Sequence, residues 1–67
     1  IDVGEIAQQR LRACPYAILR SVNCRYHEGV LILHGEVPTF YMKQIAQTIL
    51  RSLEQVQQID NRLVVSS

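Results

Sequence analysis

The segment VNCRYHEGVLILHGEV (residues 22–37) decides the fold, because it holds two short alternating stretches around a two-residue turn signal. From Val22 onward apolar and polar residues alternate, which is the period-two pattern of a half-buried β-strand. Glu28 and Gly29 then form the turn, and Gly supplies the positive φ that a tight hairpin requires. We therefore predict an antiparallel hairpin whose second strand covers residues 30–37.

Side-chain parity fixes the expected register of this hairpin. If His27 lies opposite Val30, the apolar residues of the two strands share one face. The pairs expected on that face are Tyr26 with Leu31, Cys24 with Leu33, and Val22 with Gly35. Val30 and Ile32 make the other face of the second strand apolar as well, so we place this strand at the centre of the sheet.

Two amphipathic helices flank the hairpin. Asp2 is the predicted N-cap of the first, which we expect from about Val3 to Ala13 because Pro15 ends it. Thr39 is the predicted N-cap of the second, whose apolar positions repeat every three or four residues through Leu53.

A third strand is predicted where period-two alternation resumes, from Ile59 to Val65. The element order is then αββαβ, and the crossover helix favours a right-handed parallel connection beside the antiparallel hairpin. Each helix has one apolar stripe, so both must pack on the same side of the sheet. We expect an α/β (α+β) fold with two helices on one face of a three-stranded mixed sheet.

Composition limits the possible functions. The 67 residues suffice for one domain, and 48% hydrophobic with 19% charged residues is typical of a folded module. A formal net charge of +1 gives little attraction for nucleic acid. No apolar run approaches the roughly 20 residues of a membrane-spanning helix. Because residue 1 is Ile rather than Met, we expect a single domain over residues 1–67, cut from a longer protein.

The side chains that could support chemistry are not grouped. Cys14 and Cys24 are too few for a zinc site, and we expect free thiols used as small hydrophobic residues, with a disulfide as the alternative. Cys24 and His27 fall on opposite faces of their strand, and His27 and His34 are separated by about 13 Å along the hairpin. No Gly-rich loop precedes a helix. We therefore expect no catalytic residues, no metal and no cofactor.

The hairpin has a pattern made of Val22, Cys24, Tyr26, Gly29, Val30, Leu33, Gly35 and Val37. This pattern resembles the hairpin motif of the BON domain, named for bacterial osmotic-shock and nodulation proteins. The matching residues of the second half are Ala46, Leu53, Val56, Ile59, Asn61, Leu63 and Val65. One position departs from the family: Gln55 stands where Gly usually precedes the Val matched here to Val56. A left-handed Gln55 would carry roughly 1–2 kcal/mol of strain, unless the turn is built differently.

This resemblance implies a non-enzymatic binding module of a bacterial envelope protein in the periplasm. It implies attachment to phospholipid membrane surfaces or contacts with other envelope protein domains. No small-molecule substrate or nucleic acid is implied as a partner.

Two sets of residues are candidates for binding. The first set would contact anionic phospholipid from the region of helix 1, and it contains Arg10, Arg12, Tyr16 and Arg20. The second set lies on the outward face of the sheet, and it contains Arg25, Val30, Ile32, His34 and Arg62, with Val64 beside them. The second set would dock a protein domain or a second copy of the chain. Both sets are also compatible with an ordinary solvated surface.

Overall fold

Two α-helices, one 3₁₀ helix and five short strands form the protein in the computed structural model, which describes residues 2–66. In chain order the elements are α1 (Val3–Ala13), the 3₁₀ helix (Ala17–Ser21), β1 (Asn23–His27), β2 (Val30–His34), β3 (Glu36–Val37), α2 (Phe40–Leu50), β4 (Gln58–Asn61) and β5 (Val64–Val65).

The predicted hairpin register is confirmed. His27 pairs with Val30, and the ladder continues through Cys24 opposite Leu33. Glu28 and Gly29 connect the strands with φ values of 48° and 86°. Both residues have positive φ, as in a type I′ turn, which suits the right-handed twist of the two strands.

The main sheet has the strand order β1-β2-β4, with β2 at its centre as predicted. β4 runs parallel to β2, so the sheet is mixed. Leu31 and Leu33 of β2 are fully buried on the face that carries the helices. The fold class predicted from the sequence is confirmed.

The predictions of one strand over residues 30–37 and one from Ile59 to Val65 are wrong, because both strands are interrupted. Gly35 adopts a φ of 138°, which breaks the regular extended backbone after β2. The side chain of Asn61 accepts a hydrogen bond from the backbone of Leu63 and makes a local turn after β4.

Beyond the breaks, β3 and β5 form a second, two-stranded parallel sheet. Val64 belongs to this small sheet and not to the outward face of the main sheet, where the sequence had placed it. Backbone bonds from Arg62 to Leu33 and from Val64 to Gly35 carry the parallel pairing across the interruption.

Both helix starts follow their predicted caps. Asp2 Oδ1 accepts a hydrogen bond from Gly4 N at 2.9 Å, and Thr39 Oγ1 accepts one from Met42 N at 3.1 Å. α2 ends at Leu50, earlier than the sequence pattern indicated, and Leu53 is buried in the turn that follows.

One hydrophobic core lies between the helices and the inner face of the main sheet. Its buried members are Ala7, Leu11, Leu19, Val22, Leu31, Leu33, Val37, Ala46, Leu50, Leu53 and Leu63. Among the described residues, no helix has the length and apolar character needed to cross a membrane.

Candidate functional site

Five of the predicted binding residues share the outer face of the main sheet. Alternation places Arg25, Val30, Ile32 and His34 on this face, and Arg62 follows β4 beside it. Val30 and Ile32 are half-buried among their neighbours. The face is therefore a mixed polar surface with limited apolar area.

Arg62 is paired with an acidic residue of the same face. Its Nε lies 2.9 Å from Asp60 Oδ2, and both side chains remain partly exposed. Asp60 is also the parallel partner of Ile32, whose antiparallel partner is Arg25. Opposite charges thus lie on the two sides of Ile32.

The two histidines lie at opposite ends of the hairpin. His27 is next to the turn, and His34 is opposite Asn23. His27 Nε2 is 3.7 Å from Glu28 Oε1, and both side chains are largely exposed. Within residues 2–66 no three His, Cys, Asp or Glu side chains form a group that could hold a metal ion.

Cys24 and His27 line the same open groove but do not form a reactive pair. The groove, of about 690 Å³, is lined by residues of α1 and β1 together with Asp2 and Ile32. The two residues are three positions apart in one strand, so their side chains point to opposite faces. Burial raises the pKa of Cys24 to about 11, which disfavours the thiolate that a nucleophile needs.

Both cysteines are free thiols in the structure, as expected. They are half-buried rather than fully buried. Cys14 Sγ donates to the carbonyl oxygen of Leu11 at 3.0 Å, within the last turn of α1.

The arginines predicted to meet phospholipid are dispersed. Arg10 Nη1 donates to Ser52 Oγ at 3.0 Å, beside the turn after α2. Arg12 lines the groove next to β1 instead, because residues two apart lie on different sides of a helix. Arg20 is exposed on the 3₁₀ helix.

A set of exposed apolar side chains that the sequence did not predict lies on three neighbouring elements, the 3₁₀ helix, α2 and β5. All large hydrophobic side chains that are exposed among residues 2–66 belong to it, and we call it the apolar end. Its members are Ile18, Phe40, Tyr41, Val64 and Val65. The exposed fractions of Phe40 and Tyr41 are 63% and 62%.

The apolar end is assembled from three elements, and β3 connects them. The 3₁₀ helix contacts β3, β3 pairs with β5, and β5 contacts α2. Tyr41, at the start of α2, lies beside Tyr16 and raises the pKa of the Tyr16 phenol. Lys43 Nζ lies 5.6 Å from the centroid of the Phe40 ring, within cation–π range.

The sequence held one signal for this surface. Phe40 and Tyr41 follow the Thr39 cap directly, outside the apolar stripe that enters the core. Two adjacent aromatic residues in the first turn of a helix cannot both face the core, because neighbouring positions are about 100° apart.

The turn before β4 avoids the strain that a left-handed Gln55 would carry. Among non-glycine residues of the described chain, positive φ occurs at Glu28 alone. The hydroxyl of Tyr26 donates to the carbonyl oxygen of Gln55 at 2.9 Å and fixes the turn to the hairpin.

Comparison with known proteins adds a family to this geometry. No curated protein matches the chain. The family model of the BON domain matches residues 5–67, which is nearly all of the sequence and includes every strand described above, all of α2 and all of α1 except its first two residues. The chain belongs to the BON domain family.

Proposed function

We propose that this BON domain is a non-catalytic module that attaches a bacterial envelope protein to phospholipid surfaces in the periplasm. The observation that carries the proposal is the collection of the exposed large hydrophobic side chains at the apolar end. Large apolar side chains exposed on neighbouring elements of a small domain are typical of a membrane or protein interaction site.

The chemistry of the apolar end suits the boundary between headgroups and acyl chains. Phe40 and Ile18 offer apolar area, and Tyr41 has a hydroxyl that can remain hydrated. Arg20 and Lys43 belong to the same elements and can contact lipid phosphates. Each basic side chain near an anionic surface contributes about 1 kcal/mol, so insertion of the aromatic residues must supply the larger share of the affinity.

A second candidate is docking of another envelope protein domain on the outer sheet face. It is supported by the common orientation of Arg25, Ile32 and His34 on that face. The half-burial of Ile32 leaves less apolar surface there than at the apolar end. We therefore place membrane attachment first.

Co-sedimentation with vesicles of phosphatidylglycerol and phosphatidylethanolamine tests the proposal. We expect binding that weakens with added salt, and a roughly tenfold loss when Phe40→Ser removes one inserted ring. Tyr41→Ser should act similarly. Both side chains are exposed, so circular dichroism should show an unchanged fold.

Ile32→Ser on the outer sheet face is the matched control, and it should bind vesicles like the original protein. If Ile32→Ser reduces vesicle binding and Phe40→Ser does not, the assignment to the apolar end is wrong. Equal recovery with vesicles of phosphatidylcholine alone would contradict the role of the basic residues. If no vesicle composition is bound, membrane attachment itself is refuted.

A further inference from the structure

The two edges of the main sheet differ in how their backbone groups are satisfied. At the β1 edge, Cys24 N donates to Gln8 Oε1 at 3.1 Å, and Gln8 Nε2 donates to the carbonyl oxygen of Val22. Gly4 lies so close that an added Cβ would be 3.2 Å from the carbonyl oxygen of Cys24. Helix α1 therefore covers this edge, which is a common protection against unwanted strand pairing.

The edge of β4 is open. Backbone bonds from Gln58 to Gly29 and from Arg62 to Leu33 show which residues face β2. By the alternation of a parallel ladder, the N–H and C=O groups of Ile59 and Asn61 point away from β2. No hydrogen bond from another described element ends on these four groups.

Space for another chain exists beside this edge. A groove of about 380 Å³ lies between α2 and the start of β4. It is lined by Gln47, Arg51, Val56, Gln57, Gln58 and Ile59. An incoming strand could place side chains there on one face and reach Asp60 and Arg62 on the other.

A second copy of the chain fits this edge poorly. Antiparallel pairing that uses all four open groups sets Ile59 opposite Asn61 of the copy. The same register sets Asp60 opposite Asp60 of the copy, and like charges directly opposite are destabilising. The charge on β4 thus acts against self-pairing and selects a different partner.

We propose that the open edge of β4 accepts an extended segment of a partner protein as an added strand. Asp60 and Arg62 present one negative and one positive charge on the outer face, two residues apart. The complementary segment carries a basic residue facing Asp60 and an acidic residue facing Arg62, separated by one residue. Backbone hydrogen bonds to Ile59 and Asn61 supply the contact, and the charges supply the selectivity.

Titration of the ¹⁵N-labelled domain with three synthetic peptides tests this inference. The probe is acetyl-Thr-Val-Glu-Val-Lys-Val-Thr-amide, and its two controls replace the charged pair by two Lys or by two Glu. We expect amide shifts at Ile59 and Asn61 with the probe, and at least several-fold weaker binding of both controls at low salt. Amides of Cys24 and Tyr26 on the covered edge should not shift.

Backbone methylation separates strand addition from binding through charge alone. N-methylation of the Val residues removes the backbone N–H donors along one edge of the extended peptide. N-methylation of Glu and Lys removes the donors along the other edge. The order of Glu before Lys in the probe sets Lys opposite Asp60 and Glu opposite Arg62 only in antiparallel pairing, in which the N–H groups of the Val residues face β4. N-methylation of the Val residues should therefore abolish binding, and N-methylation of Glu and Lys should leave it unchanged. The reverse result would overturn the antiparallel pairing.

Replacement of Asp60 tests the selectivity. Asp60→Asn should reduce the preference for the probe over the peptide with two Glu, and it should increase self-association in analytical ultracentrifugation. Glu36→Gln, away from the edge, is the matched control and should change neither property. Equal binding of all three peptides, no binding, or self-association of the original protein through β4 would overturn the inference.

Discussion

Cys24 shows how burial of one thiol makes stability depend on pH. Burial raises its pKa from 9.0 to about 11, so the folded state keeps a proton that the unfolded chain loses above pH 9. The contribution is complete below pH 9 and is lost as the pH rises toward 11. Between pH 8 and 10 we expect the free energy of unfolding to fall by less than about 1 kcal/mol, because the thiol is partly exposed.

Urea unfolding of Cys24→Ala at pH 8, 9 and 10 measures this effect, since the variant should lose most of the decline. Cys14→Ala is the control and should retain it. The neighbouring Tyr41 raises the pKa of Tyr16, and this contribution is common to all three proteins, so it cancels in the comparison. An equal decline in Cys24→Ala and the original protein would contradict the assignment.

Glu28 carries local backbone strain in the hairpin turn. Its φ of 48° lies in the left-handed region, which Asn tolerates better than Glu. We expect Glu28→Asn to raise the free energy of unfolding by about 0.5–1 kcal/mol. Thermal denaturation checks this expectation, with Glu28→Gln as a control that removes the charge and keeps the strain. A gain of the same size in Glu28→Gln would show that charge, not conformation, is responsible.

Among the elements, the contact of α1 with β1 depends on one amide side chain. The side-chain amide of Gln8 accepts a hydrogen bond from Cys24 N and donates one to the carbonyl oxygen of Val22. It thus makes the backbone hydrogen bonds that a neighbouring strand would otherwise make at this edge. We expect Gln8→Ala to lower the free energy of unfolding by about 1–3 kcal/mol, because it leaves backbone groups without partners. Urea denaturation measures the loss.

Gln9→Ala is the matched control for this element, because Gln9 is exposed on the same helix. Its effect should stay within about 0.5 kcal/mol. Equal stability of the Gln8→Ala and Gln9→Ala variants would show that water replaces the amide at the β1 edge.

The sequence predicts correctly those elements whose residue pattern is compatible with only one local structure. The hairpin register followed from the parity of residues 22–37, and both caps followed from Asp2 and Thr39. The two strand breaks could not be predicted, because alternation continues through Gly35 and Asn61 while their local geometry interrupts the ladder. The 3₁₀ helix was missed because its single short turn leaves no apolar period.

The candidate surfaces also differ in how far the sequence predicts them, because a local residue pattern determines only some side-chain positions. The shared orientation of Arg25, Ile32 and His34 follows from strand parity alone. The apolar end combines residues from three elements, each of which contributes one or two side chains. Only the tertiary contacts between those elements bring them together, so the local signal at Phe40 and Tyr41 indicates two exposed aromatic residues and not the rest of the set.

At the scale of the whole molecule, a single small core supports every surface described above. The interior is filled by aliphatic side chains on one side of a three-stranded sheet. A domain of this size retains only about 3–5 kcal/mol of net stability. Loss of one central side chain can therefore unfold the domain. Unfolding would remove the outer sheet face, the apolar end and the open edge of β4 together.

Leu33 provides the test of this dependence. It is fully buried at the centre of the sheet, whereas its neighbour Ile32 is half-buried on the outer face. We expect Leu33→Ala to cost about 2–5 kcal/mol, because it removes buried methyl groups and leaves a cavity, and to leave the domain largely unfolded at 37 °C. Ile32→Ala should cost clearly less and preserve the folded state. Circular dichroism against temperature compares the two, and similar melting temperatures would mean that the two faces of β2 contribute equally to stability.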